Sequence, residues 1–242
     1  MSSTTWTPAG LSSEAFRIQC KVWRMVEAQH VVSTMKIVDS LAEQELLEEI
    51  IEQGKPPVPA SATGLHNLLS TPFRYRPILS VGSRFRTPLD PGVFYGAERV
   101  NTAAAETGYR RWRFLQDSAG LERLPPAQFT AFSVPLAGAM VDLRKTPFDR
   151  DEDRWRDPLD YGATQSFAIA ARQAALDGIL YRSVRDPQPH WCIALLTPKA
   201  FASKHPDRSM QTWTLTLLPE EAVWQSQGAQ SFAFRTSVWG VR

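Results

Sequence analysis

The sequence predicts an α+β fold. Helix-like and strand-like segments are mixed along its 242 residues without regular alternation, which disfavours a doubly wound parallel sheet. Hydrophobic residues make up 43% and charged residues 21%, so the chain has the means to bury a core. No internal repeat is present, so the elements serve one architecture and not an array. The length suits one domain with an appendage. We place an N-terminal helical region and linker at residues 1–64 and the main domain at 65–242.

The elements follow in order. Ser13 caps an expected first helix, with Phe16, Cys20, Trp23 and Val26 at helical spacing. A second helix opens on the capping box Ser40-Leu41-Ala42-Glu43 and carries an apolar stripe of Leu46, Leu47, Ile50 and Ile51. Gly54 ends it, and prolines at 56, 57 and 59 bar its continuation. Its glutamates 43, 45, 48, 49 and 52 read as a solvated face. Lys55 to Gly64 reads as a linker. Extended pieces are expected at Phe73–Tyr75, Ser83–Arg86 and Val93–Ala97, then a helix from Asn101 to Phe114. Phe129–Leu143 reads as a strand, Arg144–Pro158 as a loop, and 163–177 as an alanine-rich helix stopped by Gly178. Strands are expected at Ile179–Val184, Trp191–Leu196, Thr212–Leu217 and Phe232–Trp239.

Several function classes lack their markers. The net charge of +2 sets up no field that calls for nucleic acid or a membrane surface. Cys20 and Cys192 lie far apart in sequence, which fits a reducing cytoplasm better than a disulfide scaffold. The N-terminus lacks the basic-then-apolar pattern of a signal peptide, and no apolar run is long enough to span a bilayer. His30, His66, His190 and His205 are scattered, so no catalytic metal is expected. The serine-hydrolase elbow, the phosphate loop and the dinucleotide fingerprint are all missing. Arg110-Arg111-Trp112-Arg113 reads as a solvated helix end rather than a nucleic-acid contact.

The polar features concentrate between residues 73 and 106. Phe73-Arg74-Tyr75-Arg76 would set Arg74 and Tyr75 on opposite faces of an extended segment. Gly82-Ser83-Arg84-Phe85 adds a second arginine beside a glycine, and Tyr95 follows in Phe94-Tyr95-Gly96-Ala97-Glu98. Ala103-Ala104-Ala105-Glu106 puts a carboxylate among small apolar residues, where burial requires a partner. An Arg–Glu brace between helix and sheet and a functional site are both consistent with these residues.

The order Phe-Arg-Tyr (73–75), Gly-x-Arg-Phe (82–85), Tyr-x-Ala-Glu (95–98) and Thr-Ala-x-Ala-Glu (102–106) resembles the RES-domain family, named for a recurring Arg, Glu and Ser. So do Tyr161-Gly162-Ala163-Thr164-Gln165 and the run from Asp177 to Arg185. The resemblance covers residues 71–200, and the N-terminal region is similar to that of the longer members. It implies an ADP-ribosyltransferase-like mixed-sheet core and a cytoplasmic toxin that degrades NAD. The nicotinamide–ribose bond would be cleaved by an NAD+ phosphorylase or an NAD+ glycohydrolase reaction. Arg74 and Arg84 would hold the pyrophosphate, Tyr75 and Tyr95 would line the nicotinamide end, Glu106 would be the essential carboxylate, and Ser183 would be the serine of the family name. The chain departs from the common Gly-Gly-Arg-Trp-Asn pattern at Gly82-Ser83-Arg84-Phe85-Arg86, which lacks the Asn. The implied partners are an Xre-type helix-turn-helix antitoxin, bound as a hetero-oligomer, and inorganic phosphate as one acceptor. Protein ADP-ribosylation, or a non-enzymatic interaction module, are the alternatives.

These residue types suit that chemistry. Arginine forks bind phosphate oxygens bidentately and keep their charge. Loss of nicotinamide leaves an oxocarbenium-like ribose that a carboxylate stabilises. A tyrosine face can hold the pyridinium ring.

Overall fold

The computed structural model describes residues 6–28, 38–75, 82–228 and 230–240. His30 and Arg76 lie outside these residues. The architecture is α+β, as expected, but the N-terminal region is helical only in part. Helix α1 (Pro8–Ser13) is a short piece in which the Thr7 hydroxyl accepts the Gly10 N–H at 3.2 Å. The chain then forms strand β1 (Phe16–Glu27) where a helix was expected. Phe16, Ile18, Cys20 and Val22 alternate with Arg17, Gln19 and Lys21, a period of two that competes with the helical spacing. Long-range pairing decides between them: β1 lies antiparallel to β3 (Ala127–Asp142) from Phe16↔Met140 to Glu27↔Phe129.

Helix α2 (Leu41–Gln53) matches its capping signal. The Ser40 hydroxyl accepts the Glu43 N–H at 3.2 Å, and the Glu43 carboxylate reaches back to the Asp39 N–H at 2.8 Å. Its glutamates face solvent, as expected. Its apolar stripe is not its buried face: Leu46 and Ile50 are exposed while Gln44 is buried. Helix α3 (Asn67–Arg74) replaces the expected extended piece at Phe73–Tyr75; only Tyr75, at its end, has extended backbone. Leu69 and Phe73 on α3 are buried.

Strand β2 (Phe94–Ala97) and helix α4 (Val100–Asp117) fall where expected. The presumed loop after β3 contains a 3-10 turn and the short helix α5 (Glu152–Trp155). Helix α6 (Gly162–Gln173) stops before Gly178, because Ala175 takes a left-handed φ of 54°. Strands β4 (Gly178–Arg182), β5 (Trp191–Leu195) and β6 (Gln211–Leu217) agree with the sequence reading. Strand β7 (Glu221–Ser226) was not anticipated, and β8 (Ser231–Arg235) gives way to a 3-10 turn before the buried Trp239.

The sheet order is β1-β2-β5-β4-β3-β6-β7-β8, with β1 also paired to β3. Among the described strand pairs, only β3–β4 is parallel. Because β1 meets β2 at Trp23↔Ala97 as well as β3, the strands β1, β2, β5, β4 and β3 form a closed ring. Arg24 reinforces the short β1–β2 contact: it donates to the Tyr95 carbonyl at 2.7 Å and lies over the Phe94 ring. Burial, with repulsion from Arg110, lowers the Arg24 pKa to about 10, so it stays charged at neutral pH.

Alternation along the strands separates two apolar clusters. One gathers Val22, Phe94, Phe132, Leu180 and Ile193 with Leu69 and Phe73 of α3. The other gathers Ala97, Ile179, Tyr181, Cys192 and Ala194 with the alanines of α4 and α6. The second face carries the candidate site.

Removing residues 1–27 would strip β3 of its longest partner and open the ring, exposing a long strand edge. The expected outcome is loss of cooperative urea unfolding and of near-ultraviolet circular dichroism. A shortened chain that melts cooperatively like the full one would show that β1 is dispensable.

Candidate functional site

Glu106 lies on the face of α4 that packs against the sheet, preceded by the buried Ala103, Ala104 and Ala105. Small side chains let the helix approach closely, and the half-buried carboxylate finds its partner on the sheet. The Ser183 hydroxyl, just past β4 and 2% exposed, donates to Glu106 Oε1 at 2.7 Å. The same Ser183 oxygen accepts the N–H groups of Arg185 at 3.3 Å and Asp186 at 3.0 Å. Among the described residues, Oε2 of Glu106 carries no hydrogen bond.

Two neutral groups line this carboxylate. Cys192 places its thiol 3.9 Å from Oε1. Burial, and then the Glu106 charge, push its pKa well above the ordinary thiol range, so it is a packing group and not a nucleophile. Tyr181 is buried on the same face of β4 as Ser183, two residues away. Burial raises its pKa well above the phenol value; Cys192, Glu106 and Tyr95 add to the rise, and Arg84 opposes it. The Tyr181 ring lies 4.8 Å from that of Phe85, and Tyr181 also forms part of the wall of a cleft of about 210 Å³ that presents Arg144, Arg156 and Arg182.

Arg84 and Tyr95 are organised by one tight turn. Ser83 and Arg86 exchange backbone hydrogen bonds at 2.8 and 3.0 Å. The turn needs glycine at 82, where φ is +72° and a Cβ would lie 2.1 Å from the Arg86 carbonyl oxygen. The Tyr95 hydroxyl accepts the Phe85 N–H at 3.1 Å and lies 2.8 Å from the Ser83 hydroxyl. Gln165 of α6 donates to the carbonyls of Ser83 and Arg86. So held, the turn directs Arg84 inward, with 9% exposure. It donates to the Trp155 carbonyl at 2.8 Å and lies 4.7 Å from the Tyr161 ring centroid. The Tyr95 pKa is raised, chiefly by burial.

The structure thus joins Glu106 directly to Ser183, and joins Tyr95 to the turn that carries Arg84, whose Phe85 packs on Tyr181. Arg74 and Tyr75 are placed elsewhere. Arg74 pairs with Glu52 of α2 at 2.7 Å and donates to the Pro56 carbonyl. Tyr75 is exposed, and its carbonyl accepts from Arg86 at 2.8 Å.

Several residues to which the motifs assigned no role complete the cluster. Asp186 has a side chain 3% exposed; it accepts from the Thr102 hydroxyl at 2.7 Å and the Gln188 N–H at 2.9 Å, and lies 2.9 Å from His190 Nδ1. The Arg185 guanidinium stacks on Tyr109 of α4 at 3.4 Å and donates to the Pro158 carbonyl. Thr102 could have been found from its spacing of one helical turn from Glu106, and Tyr181 from its alternation with Ser183. Nothing local marks Asp186 or Cys192.

Among the described residues, no group of three or more His, Cys, Asp or Glu side chains is placed to hold a metal ion, and no helix is long and apolar enough to cross a membrane. The basic run on α4 is partly spent on ion pairs, Arg111 with Glu27 and Arg113 with Asp117, which favours the solvated-helix reading.

The RES domain model matches residues 58–218, which include every residue of this cluster. The chain belongs to the RES-domain family. No curated protein matches it. The crystal structure of the M. tuberculosis MbcT–MbcA toxin–antitoxin complex is similar with a TM-score of 0.47 and 13% identity, over 95% of this chain and 94% of that one.

Because the Tyr95 hydroxyl satisfies the Phe85 amide, Tyr95→Phe leaves a buried donor unpaired. The expected cost is about 1–3 kcal/mol, read by urea denaturation, with the change in midpoint carried at constant slope. An unchanged midpoint would mean that the turn is held without this hydroxyl.

Proposed function

We propose that the chain is the toxin of a toxin–antitoxin pair and that it depletes NAD by cleaving the nicotinamide–ribose bond. The observation that carries this reading is the Ser183–Glu106 contact. A carboxylate with one oxygen fixed at 2.7 Å by a hydroxyl and the other free lies in a half-buried, aromatic-lined position. Membership of a family whose other members degrade NAD supports it.

The free Oε2 faces the anomeric carbon of the nicotinamide ribose. The C–N bond breaks with its electron pair leaving on neutral nicotinamide, and the positive charge that develops on the ribose is met by Glu106. A low-dielectric surround strengthens that interaction. Inorganic phosphate or water then attacks the same carbon. Phosphate gives an ADP-ribose phosphate ester; water gives ADP-ribose and releases a proton.

Arg84 is the phosphate-binding arginine in this reading, because it is directed into the cluster by the turn at 82–86. Arg74 would join it only by leaving Glu52. Tyr95 and Tyr181 offer aromatic surface to the pyridinium ring. The partner is an antitoxin of the Xre-type helix-turn-helix class that covers the same pocket in the complex.

The test is NAD consumption by the purified chain with and without inorganic phosphate, following nicotinamide and the ribose product. Turnover only with phosphate identifies a phosphorylase; turnover in both buffers identifies a hydrolase. Glu106→Gln keeps the acceptor for Ser183 and removes the charge. It should lower kcat by at least about 10²-fold, with the melting temperature unchanged. A folded wild-type chain that leaves NAD intact, or a Gln variant with full activity, overturns the reading.

A further inference from the structure

We propose that Thr102, Asp186 and His190 are positioning residues that fix the direction of the Ser183–Glu106 hydrogen bond and hold Glu106 Oε2 free for the substrate. This rests on the reading of Glu106 as the reacting carboxylate.

A serine hydroxyl has one hydrogen and two acceptor sites. At Ser183 both acceptor sites are taken by the amides of Arg185 and Asp186. Its single hydrogen has one direction left, toward Glu106 Oε1 at 2.7 Å. Ser183 is therefore fixed as a donor and cannot act as an acceptor from a protonated Glu106. The backbone of residues 185–186 sets this polarity, so whatever holds that backbone controls the carboxylate.

Asp186 is what holds it. Its main-chain N–H is on Ser183, and its buried side chain takes the Thr102 hydroxyl at 2.7 Å. Thr102 is fully buried and lies four residues before Glu106, on the same face of α4. One residue thus grips both ends of the Glu106–Ser183 contact, the helix through Thr102 and the serine through its own amide. His190 completes the loop: Nδ1 lies 2.9 Å from Asp186 Oδ2, and the His190 carbonyl accepts the Ser183 N–H at 3.0 Å. A buried carboxylate is costly unless its oxygens are satisfied, and here three groups satisfy it. A brace between helix and sheet alone could sit anywhere along α4. This one is tied to the serine oxygen that touches Glu106.

The test pairs Thr102→Val, which keeps shape and removes the hydroxyl, with Thr102→Ser, which restores it. Asp186→Asn is a second probe should the valine variant not fold. Two readouts are taken on the full chain: steady-state NAD cleavage, and backbone hydrogen exchange over 183–190. The expected result for Thr102→Val is a kcat lower by about 10-fold with KM within about two-fold, since small misplacements act on the chemical step. Exchange at Arg185 and Asp186 should quicken, and Thr102→Ser should restore both. A merely structural role would lower the melting temperature and leave kcat per folded molecule and local exchange unchanged, and that outcome overturns the proposal. If the wild-type chain does not cleave NAD, the functional reading fails separately. Exchange then decides: faster exchange at 185–186 in Thr102→Val sustains the positioning role, and unchanged exchange overturns it.

Discussion

The antiparallel pairing of β1 with β3 fixes the arrangement of nearly everything else. Strand β3 is the spine of the sheet, with β1 along one edge and β4 and β6 sharing the other. Pairing β1 there brings its far edge to β2 and closes the ring. A closed ring has two well-separated faces, and strand alternation then assigns each side chain to one of them. Helix α4 packs on β1 and β2, so the height of Glu106 above β4 and β5 is set by a strand that lies eighty residues earlier.

On that face the balance of charge is simple. The thiol and phenol nearest Glu106 are kept neutral by burial, and neither competes with it for a cation. Arg84 and Arg185 supply positive charge at the margins, each with its geometry fixed by a carbonyl and an aromatic ring. The negative charge of Asp186 is taken up by its own donors. Of the Glu106 carboxylate, Oε1 is held by Ser183, and among the described residues Oε2 carries no hydrogen bond.

Legibility in the sequence followed the range of the interactions. Helix α2 was readable because Ser40, Glu43 and Gly54 act on neighbours in the chain. Strands β4, β5 and β6 were readable from dense β-branched and aromatic runs. Strand β1 was misread because Phe16, Cys20, Trp23 and Val26 satisfy a helical spacing while Phe16, Ile18, Cys20 and Val22 satisfy a period of two, and only the distant β3 chooses between them. Arg74 was misplaced with its segment: α3 carries it to the end of α2, where Glu52 lies. In the site, Glu106, Ser183, Arg84 and Tyr95 emerged from motifs. Asp186 and Cys192 did not, since their significance arises from contacts across 84 and 86 residues of chain.

The ring has a consequence for how the chain is made. As it leaves the ribosome, β1 must wait for β3, which begins a hundred residues later, and Glu106 must wait for Ser183. Contacts of such sequence separation form late and slowly. A nascent chain cut short before β5 lacks the strand that links β2 to β4, and therefore the frame that joins helix to serine. The pairing that sets Glu106 beside Ser183 is therefore framed on both sides only once β5 has joined β2 to β4.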